Sequence, residues 1–333
     1  MATQNVGKNL IRKSAICLAA IFGLVLGMIS LPALAAARKP DSSSGDVPVR
    51  MVVTVKARHD GQVPAVAPDD VKVYQRDKRD TVTSWLPLQG DRAGLQLFIL
   101  VDDTSRDSLS LQFKSIAKFI EDQPDTTAIG VGYMRNGTVA TVQELTKDHA
   151  LAEKALRLPL GSRSVGFTSP YLSLSELMKK WPETQDRREI LMITSGIDPL
   201  GDGFSPDPYN NPYLQEAFDR AQRGGFIVYS IYSPASGIPS RGRGGFRTQL
   251  QQSGLDLLAQ KTGGAAYYLS FGTPVDFTPY LDDVSYCLKH QYELTFLAKA
   301  SAKKPTLEPV KVKTEMPNMG LTTAEDGYVK TGS

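Results

Sequence analysis

"LFILVDDTSRDS", residues Leu97 to Ser108, carries an apolar run straight into a dense set of oxygen donors. Asp103, Ser105 and Asp107 alternate along the turn. That spacing lets a carboxylate, a hydroxyl and a second carboxylate converge on one point. Hard donors of this kind suit Mg²⁺, Mn²⁺ or Ca²⁺, not zinc. Asp102, one residue earlier, is expected on the opposite face of the strand by the period-two rule. A strand-end serine, Ser105 or Ser195, could instead be a hydrolase nucleophile. A nucleophile elbow needs Gly-x-Ser-x-Gly, however, and Ile193 stands two residues before Ser195. His59, His149 and His290 fall in separate elements, in no triad or metal spacing. The residue types favour binding over catalysis.

Such a turn needs a strand behind it and a helix after it. "LQLFILV" reads as a strand buried on both faces, and Leu109, Phe113, Ile116, Ala117 and Ile120 mark the following helix. "TAIGVGYM" and "VATVQEL" flank Asn136-Gly137, a hairpin signal, so the sequon Asn136-Gly-Thr138 is read as a turn. Helices near 148–158, 170–180, 212–223 and 248–261 then alternate with the strands "EILMITS", "FIVYSIYS" and "AAYYLS". The last helix places Tyr280, Val284, Cys287 and Leu288 on one apolar stripe, so Cys287 is expected in the core. The alternation implies an α/β fold, a doubly wound, mostly parallel sheet with helices on both faces, spanning 93–290. In such sheets ligands bind beyond the carboxyl ends of the strands, where the oxygen-rich turn falls. On either side the pattern is β-type, "VRMVVTVKAR" and "VKVYQRD" before, "YELTFLA" and "EPVKVKTEM" after. Residues 48–92 and 291–333 are expected to pair in one small β-sandwich.

The chain has 333 residues, 41% hydrophobic and 22% charged, an ordinary globular balance. Residues 1–37 stand apart: Lys8, Arg12 and Lys13 precede the apolar "SAICLAAIFGLVLGMISL" and the small residues Ala33 to Ala36. This is a signal peptide pattern with cleavage after Ala35 or Ala37, or, read otherwise, an uncleaved N-terminal anchor. Residues 38–47 read as a linker. Export to a periplasm or the exterior follows, with membrane contact only through that segment. The net charge of +3 equals those three leader residues, which leaves 35 basic against 35 acidic in the rest. A neutral body argues against a nucleic-acid partner, and "SRGRGGFR" (Ser240 to Arg247) reads as an insertion between strand and helix.

The ordered set resembles the von Willebrand factor A domain, whose metal-ion-dependent adhesion site has the pattern Asp-x-Ser-x-Ser after its first strand. "DTSRD" places Asp103 and Ser105 at the first two ligand positions, with Asp107 in place of the last serine. "VGFTSPYLSL" resembles the family's Gly-x-Thr loop through Gly166 and Thr168, and "LMITSGID" puts Ser195 where the family has an aspartate. Asp198 is in reach from the next loop. "QEAFDRAQRGGFIVYSIY", "LDLLAQKTGGAAYYLS" and "VVTVKARHDGQVPAVAPDDVKVYQRDKRDTVTSW" extend the similarity to the bacterial VWFA-related Acidobacterial type. In that group a β-sandwich made from both ends carries the A domain.

The resemblance implies a protein-binding, adhesion or assembly module and not an enzyme. Its partner would be a protein offering a carboxylate to a divalent cation, Mg²⁺ or Mn²⁺ or else Ca²⁺. With Ser195 in the aspartate's place, the same rim of loops could instead bind without metal. That rim would include "IDPLGDGFSPDPYNNPY", where Asp202, Asp207, Tyr209 and Tyr213 are the candidate contact residues.

Overall fold

Alternation of side chains along one strand, Leu95–Asp102 (β4), sets the centre of the molecule. Its odd-numbered residues Leu95, Leu97, Ile99 and Val101 enter one buried cluster, and Phe98 and Leu100 enter another on the opposite face. A strand apolar on both faces must be covered on both. Helices Phe113–Glu121 (α1) and His149–Lys154 (α2) supply one layer. Helices Pro170–Lys179 (α3) and Pro212–Gly224 (α4) supply the other. Helix Arg243–Thr262 (α5) joins the second layer, and Thr278–Lys289 (α6), with buried Cys287, joins the first.

Around β4 lie Thr127–Arg135 (β5), Thr138–Thr146 (β6), Arg187–Thr194 (β7), Phe226–Tyr232 (β8) and the short Ala266–Tyr267 (β9). The sheet order is β6-β5-β4-β7-β8-β9, parallel except for β6. Asn136 and Gly137 turn the β5–β6 hairpin with φ of 49° and 71°, the paired positive angles that such a two-residue turn requires. Succession runs outward from β4 in one direction and from β7 in the other. The gap between them is the topological switch point, at whose carboxyl end ligand sites form.

The flanking segments do not make the expected two-sheet sandwich. Strands Asp46–Ala57 (β1), Val71–Gln75 (β2) and Lys78–Pro87 (β3) join Gln291–Lys299 (β10), Thr306–Thr314 (β11), Met319–Thr323 (β12) and Asp326–Val329 (β13) in one antiparallel sheet. Its order is β12-β1-β10-β3-β2-β11-β13. The sheet curls into a half-barrel: a Cβ added to Gly327 of β13 would sit 3.3 Å from Val49 of β1, five strands away in the order. Twist and a register shift at Thr295/Phe296 let one apolar face bury itself, around Val53, Val73, Trp85 and Phe296, without a second sheet.

Residues 44–333 form one compact unit. The outer face of β1 rests on the α/β part, with Val52 against its core and Lys56 Nζ 2.7 Å from Asp283. At the turn after α5, Gly264 lies so close to β8 that a Cβ would meet the Val228 carbonyl oxygen at 2.0 Å, which excludes any side chain there. The computed structural model describes residues 46–58, 65–161, 168–201, 207–236, 243–268, 275–299 and 304–329. The leader, most of the linker, His59, Gly166, Asp202 and the start of "SRGRGGFR" lie outside them. Residues 243–247, expected in an insertion ahead of a helix at 248–261, already belong to α5. Among the described residues no helix is long and apolar enough to cross a membrane.

Candidate functional site at the carboxyl edge of the sheet

The two adjacent aspartates at the end of β4 part company, and the one facing the site is Asp102. Its Oδ1 accepts the Thr104 amide at 2.9 Å, the Thr104 hydroxyl at 2.7 Å and the Thr168 hydroxyl at 3.0 Å. Its Oδ2 accepts the Thr194 hydroxyl at 2.8 Å. All four residues are buried. Asp102 therefore continues the Phe98–Leu100 face of β4, and Thr168 arrives on that face because it stands two residues ahead of α3. Thr194 ends β7 on the same face, and its own Oγ accepts the Gly196 amide at 3.1 Å.

Asp103, expected as the first ligand, points to the other helix layer. Arg157 grips it in two parallel bonds, Nη1 to Oδ1 at 2.7 Å and Nη2 to Oδ2 at 2.9 Å. The Leu160 amide donates to Oδ1 at 3.0 Å, and Arg135 approaches Oδ2 at 3.4 Å. Arg157 also stacks on Tyr133, 3.7 Å from the ring centroid. Burial acts to raise the Asp103 pKa, but the bonds from Arg157 and Leu160 outweigh it and hold the carboxyl below its ordinary value. The two aspartates face opposite sides of β4, as the period-two rule predicts, Asp102 towards Thr168 and Thr194 and Asp103 towards Arg157.

The other candidates are scattered. Ser105 is buried, its hydroxyl has no hydrogen-bond partner among the described residues, and its backbone bridges to Ala235 in the loop after β8. Asp107 is exposed at the start of a 3₁₀ turn, Asp107–Gln112, outside the buried cluster. Ser195 is buried beside Thr194, and its Oγ accepts the Ile197 amide at 3.3 Å. Asp198 is spent on the rim loop: it accepts the Leu200 and Gly201 amides at 3.1 and 3.2 Å and the Asn211 side-chain amide at 3.1 Å. Asn211 in turn caps α4 through the Tyr213 and Leu214 amides. Asp207 caps the short 3₁₀ turn just before α4, Pro208–Asn210, through the Tyr209 amide, and Tyr209 is 47% exposed. Tyr213 is half-buried and leans on the core beneath α4.

Placed this way, the family pattern falls one residue earlier than expected. Asp102 and Thr104 take the first two positions, and Arg106 stands third, its Nε donating to the Ala235 carbonyl at 3.2 Å. A resident divalent cation does not fit this donor set. An ionised carboxylate offers about four acceptor sites, and Asp102 has four donors on it already. A guanidinium replaces the third oxygen ligand. Thr104, Thr194, Arg106, Arg135 and Arg157 were missed in the sequence. For Thr104 and Arg106 the signal was the same motif read from Asp102.

An α/β sheet of this order, with an oxygen cluster at its switch point, is the arrangement that the von Willebrand factor A resemblance implies. No family model matches the chain, and no curated protein matches it. Solved structures do match. One is an aerotolerance-related membrane protein from Bacteroides fragilis with multiple mutations to serines, 14% identical over 59% of this chain and 98% of that one, with a TM-score of 0.41. A second is the conserved hypothetical protein BatB from Bacteroides thetaiotaomicron, 15% identical over 58% and 96%, with a TM-score of 0.40. A third is the SpRpn10 VWA domain, 14% identical over 57% and 93%, with a TM-score of 0.37.

Proposed function

We propose that this chain is an exported protein-recognition module of von Willebrand factor A type whose carboxyl-edge rim binds its partner without a resident divalent cation. The observation that carries the reading is the Asp102 cluster, where three threonine hydroxyls and an amide consume the carboxylate that a cation would need. Arg106, in the third ligand position, supplies a fixed positive charge in the cation's stead, suited to a partner's carboxylate. The loops at this edge also carry the exposed apolar side chains Leu158, Leu160 and Leu200, which would add apolar contact area to such an interface. No reaction is assigned: among the described residues the histidine rings bond backbone carbonyls, His149 that of Thr127 and His290 that of Tyr286, and not a strand-end serine.

Calorimetric titration with Mg²⁺ and Mn²⁺ tests the cation-free part. No heat up to about 10 mM is expected, well beyond the millimolar range of a weak site. Millimolar or tighter binding that Asp102→Asn removes would sink it and restore the metal-dependent reading. For the rim, crosslinking in the native envelope should capture one partner equally in EDTA and in Mg²⁺, and Arg106→Glu and Leu160→Glu should each abolish capture. Capture that needs Mg²⁺ would return the site to cation-mediated adhesion.

A further inference from the structure

The amino edge of the six-stranded sheet carries a feature that the recognition rim does not use. Between that edge and the outer face of β1 lie two adjoining cavities, of about 570 and 460 Å³. Arg50, Val52, Gln185, Arg188 and Gly225 line both. Ligand pockets run roughly 300–1,000 Å³, so each has room for a small molecule.

Arg188, at the start of β7, is the key residue. Its guanidinium lies over the Phe226 ring, 4.9 Å from the centroid, and close to Gly225, where an added Cβ would be 4.0 Å from Nη2. It is half-buried, yet makes no ion pair or hydrogen bond among the described residues, and burial lowers its pKa. Its neighbour Arg187 shows the contrast, with its guanidinium on the carbonyls of Ala93 and Leu288 and on the Gln291 side chain. Arg50, across the groove on β1, is exposed and has no described partner either. Taking a guanidinium partly out of water without an anion is unfavourable and is relieved when an anion arrives.

The larger cavity has the right sign. It is lined by Arg50, Arg188 and Arg223, against the single carboxylate of Asp326. Burial raises the Asp326 pKa, and the Gln222 amide holds its Oδ2 at 3.1 Å. Arg223 is paired with Asp219 at 2.8 Å, which leaves Arg50 and Arg188 as the free cations. The smaller cavity adds Arg92 and Arg187 but also Asp91, Asp186 and Glu293, so three carboxylates stand against its arginines, where the larger has one. Met51, Phe226 and Ile227 give the larger cavity an apolar wall.

We propose that the larger cavity binds a small organic oxyanion, a carboxylate or phosphate group on an apolar body, held between the guanidinium groups of Arg188 and Arg50. A guanidinium already stacked on an aromatic face keeps its edge N–H groups for two-point contact with such a group.

The test is calorimetry and thermal shift on the intact protein with inorganic phosphate and, separately, glutarate, each against chloride at equal ionic strength. A dissociation constant of roughly 1 mM or tighter is expected for at least one of them. Which one binds separates phosphate from carboxylate. Arg188→Met keeps an apolar stem on Phe226 and removes the charge, and Arg50→Gln removes an exposed charge without touching the core. Each should weaken binding at least tenfold. Arg50→Gln alone carries the test if Arg188→Met does not fold. No binding of either anion by the folded protein, or binding unchanged in the folded variants, would overturn the proposal.

Discussion

The two edges of the central sheet handle buried charge in opposite ways. At the carboxyl edge Asp102 and Asp103 are fully buried and fully answered, one by hydroxyls and an amide, the other by Arg157 and the Leu160 amide. At the amino edge Glu189 is fully buried with only a long contact to Arg187, at 4.0 Å, and no well-formed hydrogen bond among the described residues, and Arg188 lacks an anion there. Position explains the contrast. The carboxyl edge is closed by loops of the same α/β body, whose threonines and arginines reach the strand ends they satisfy. At the amino edge two sheets meet face to edge, and their side chains leave open volume between them. Buried charge that is answered fixes structure, whereas buried charge left unanswered responds to pH and to ligands.

The largest effect should come from the answered edge. Asp103→Ala strands the Arg157 guanidinium and is expected to destabilise by about 3–5 kcal/mol in urea unfolding. A loss under 1 kcal/mol would mean that the pair is not closed in solution. At the other edge Glu189 supplies a pH signature. Burial raises its pKa to about 7, despite the opposing pull of Arg187. Because the folded state holds this proton more tightly than the unfolded chain, whose glutamates titrate near about 4.3, the stability it contributes is complete below that pH and lost as pH rises to about 7. Asp103, with its depressed pKa, runs the other way: its contribution is present above about pH 4 and lost as pH falls further. Glu189→Gln should therefore flatten the stability profile between about pH 4 and 7 and leave the variant more stable by about 3–4 kcal/mol at pH 8. A parallel decline in both proteins would remove Glu189 as the source. The smallest effect belongs to one hydroxyl of the closed cluster. Thr168→Val should lower stability by about 1–2 kcal/mol in thermal unfolding, because Asp102 keeps three other donors.

Most of the fold could be read from the chain, because periodicity and turn chemistry act locally. The doubly apolar β4, the Asn136-Gly137 hairpin and the Cys287 stripe all occupy their expected places. The site could be read only to its neighbourhood. Whether Asp102 or Asp103 faced Thr168 depended on which helix layer α3 joins, a long-range choice that β4, apolar on both faces, does not encode. The same limit hid Arg157, which reaches Asp103 from 54 residues away. The half-barrel was expected as a sandwich because strand patterns report a buried face but not whether one sheet curls or two sheets stack.

That half-barrel has a consequence for the order of folding. Asp46 pairs with Lys299 and Thr54 with Gln291, so the first strand finds its neighbour only after the whole α/β body has been made. Contacts so distant in sequence form slowly from an open chain. A body already folded between β3 and β10 shortens the effective loop and brings the two strands together. β1 must wait unpaired until that happens, an exposed edge at risk of joining another chain. The half-barrel thus acts as a clasp that closes only after the α/β body between its two halves.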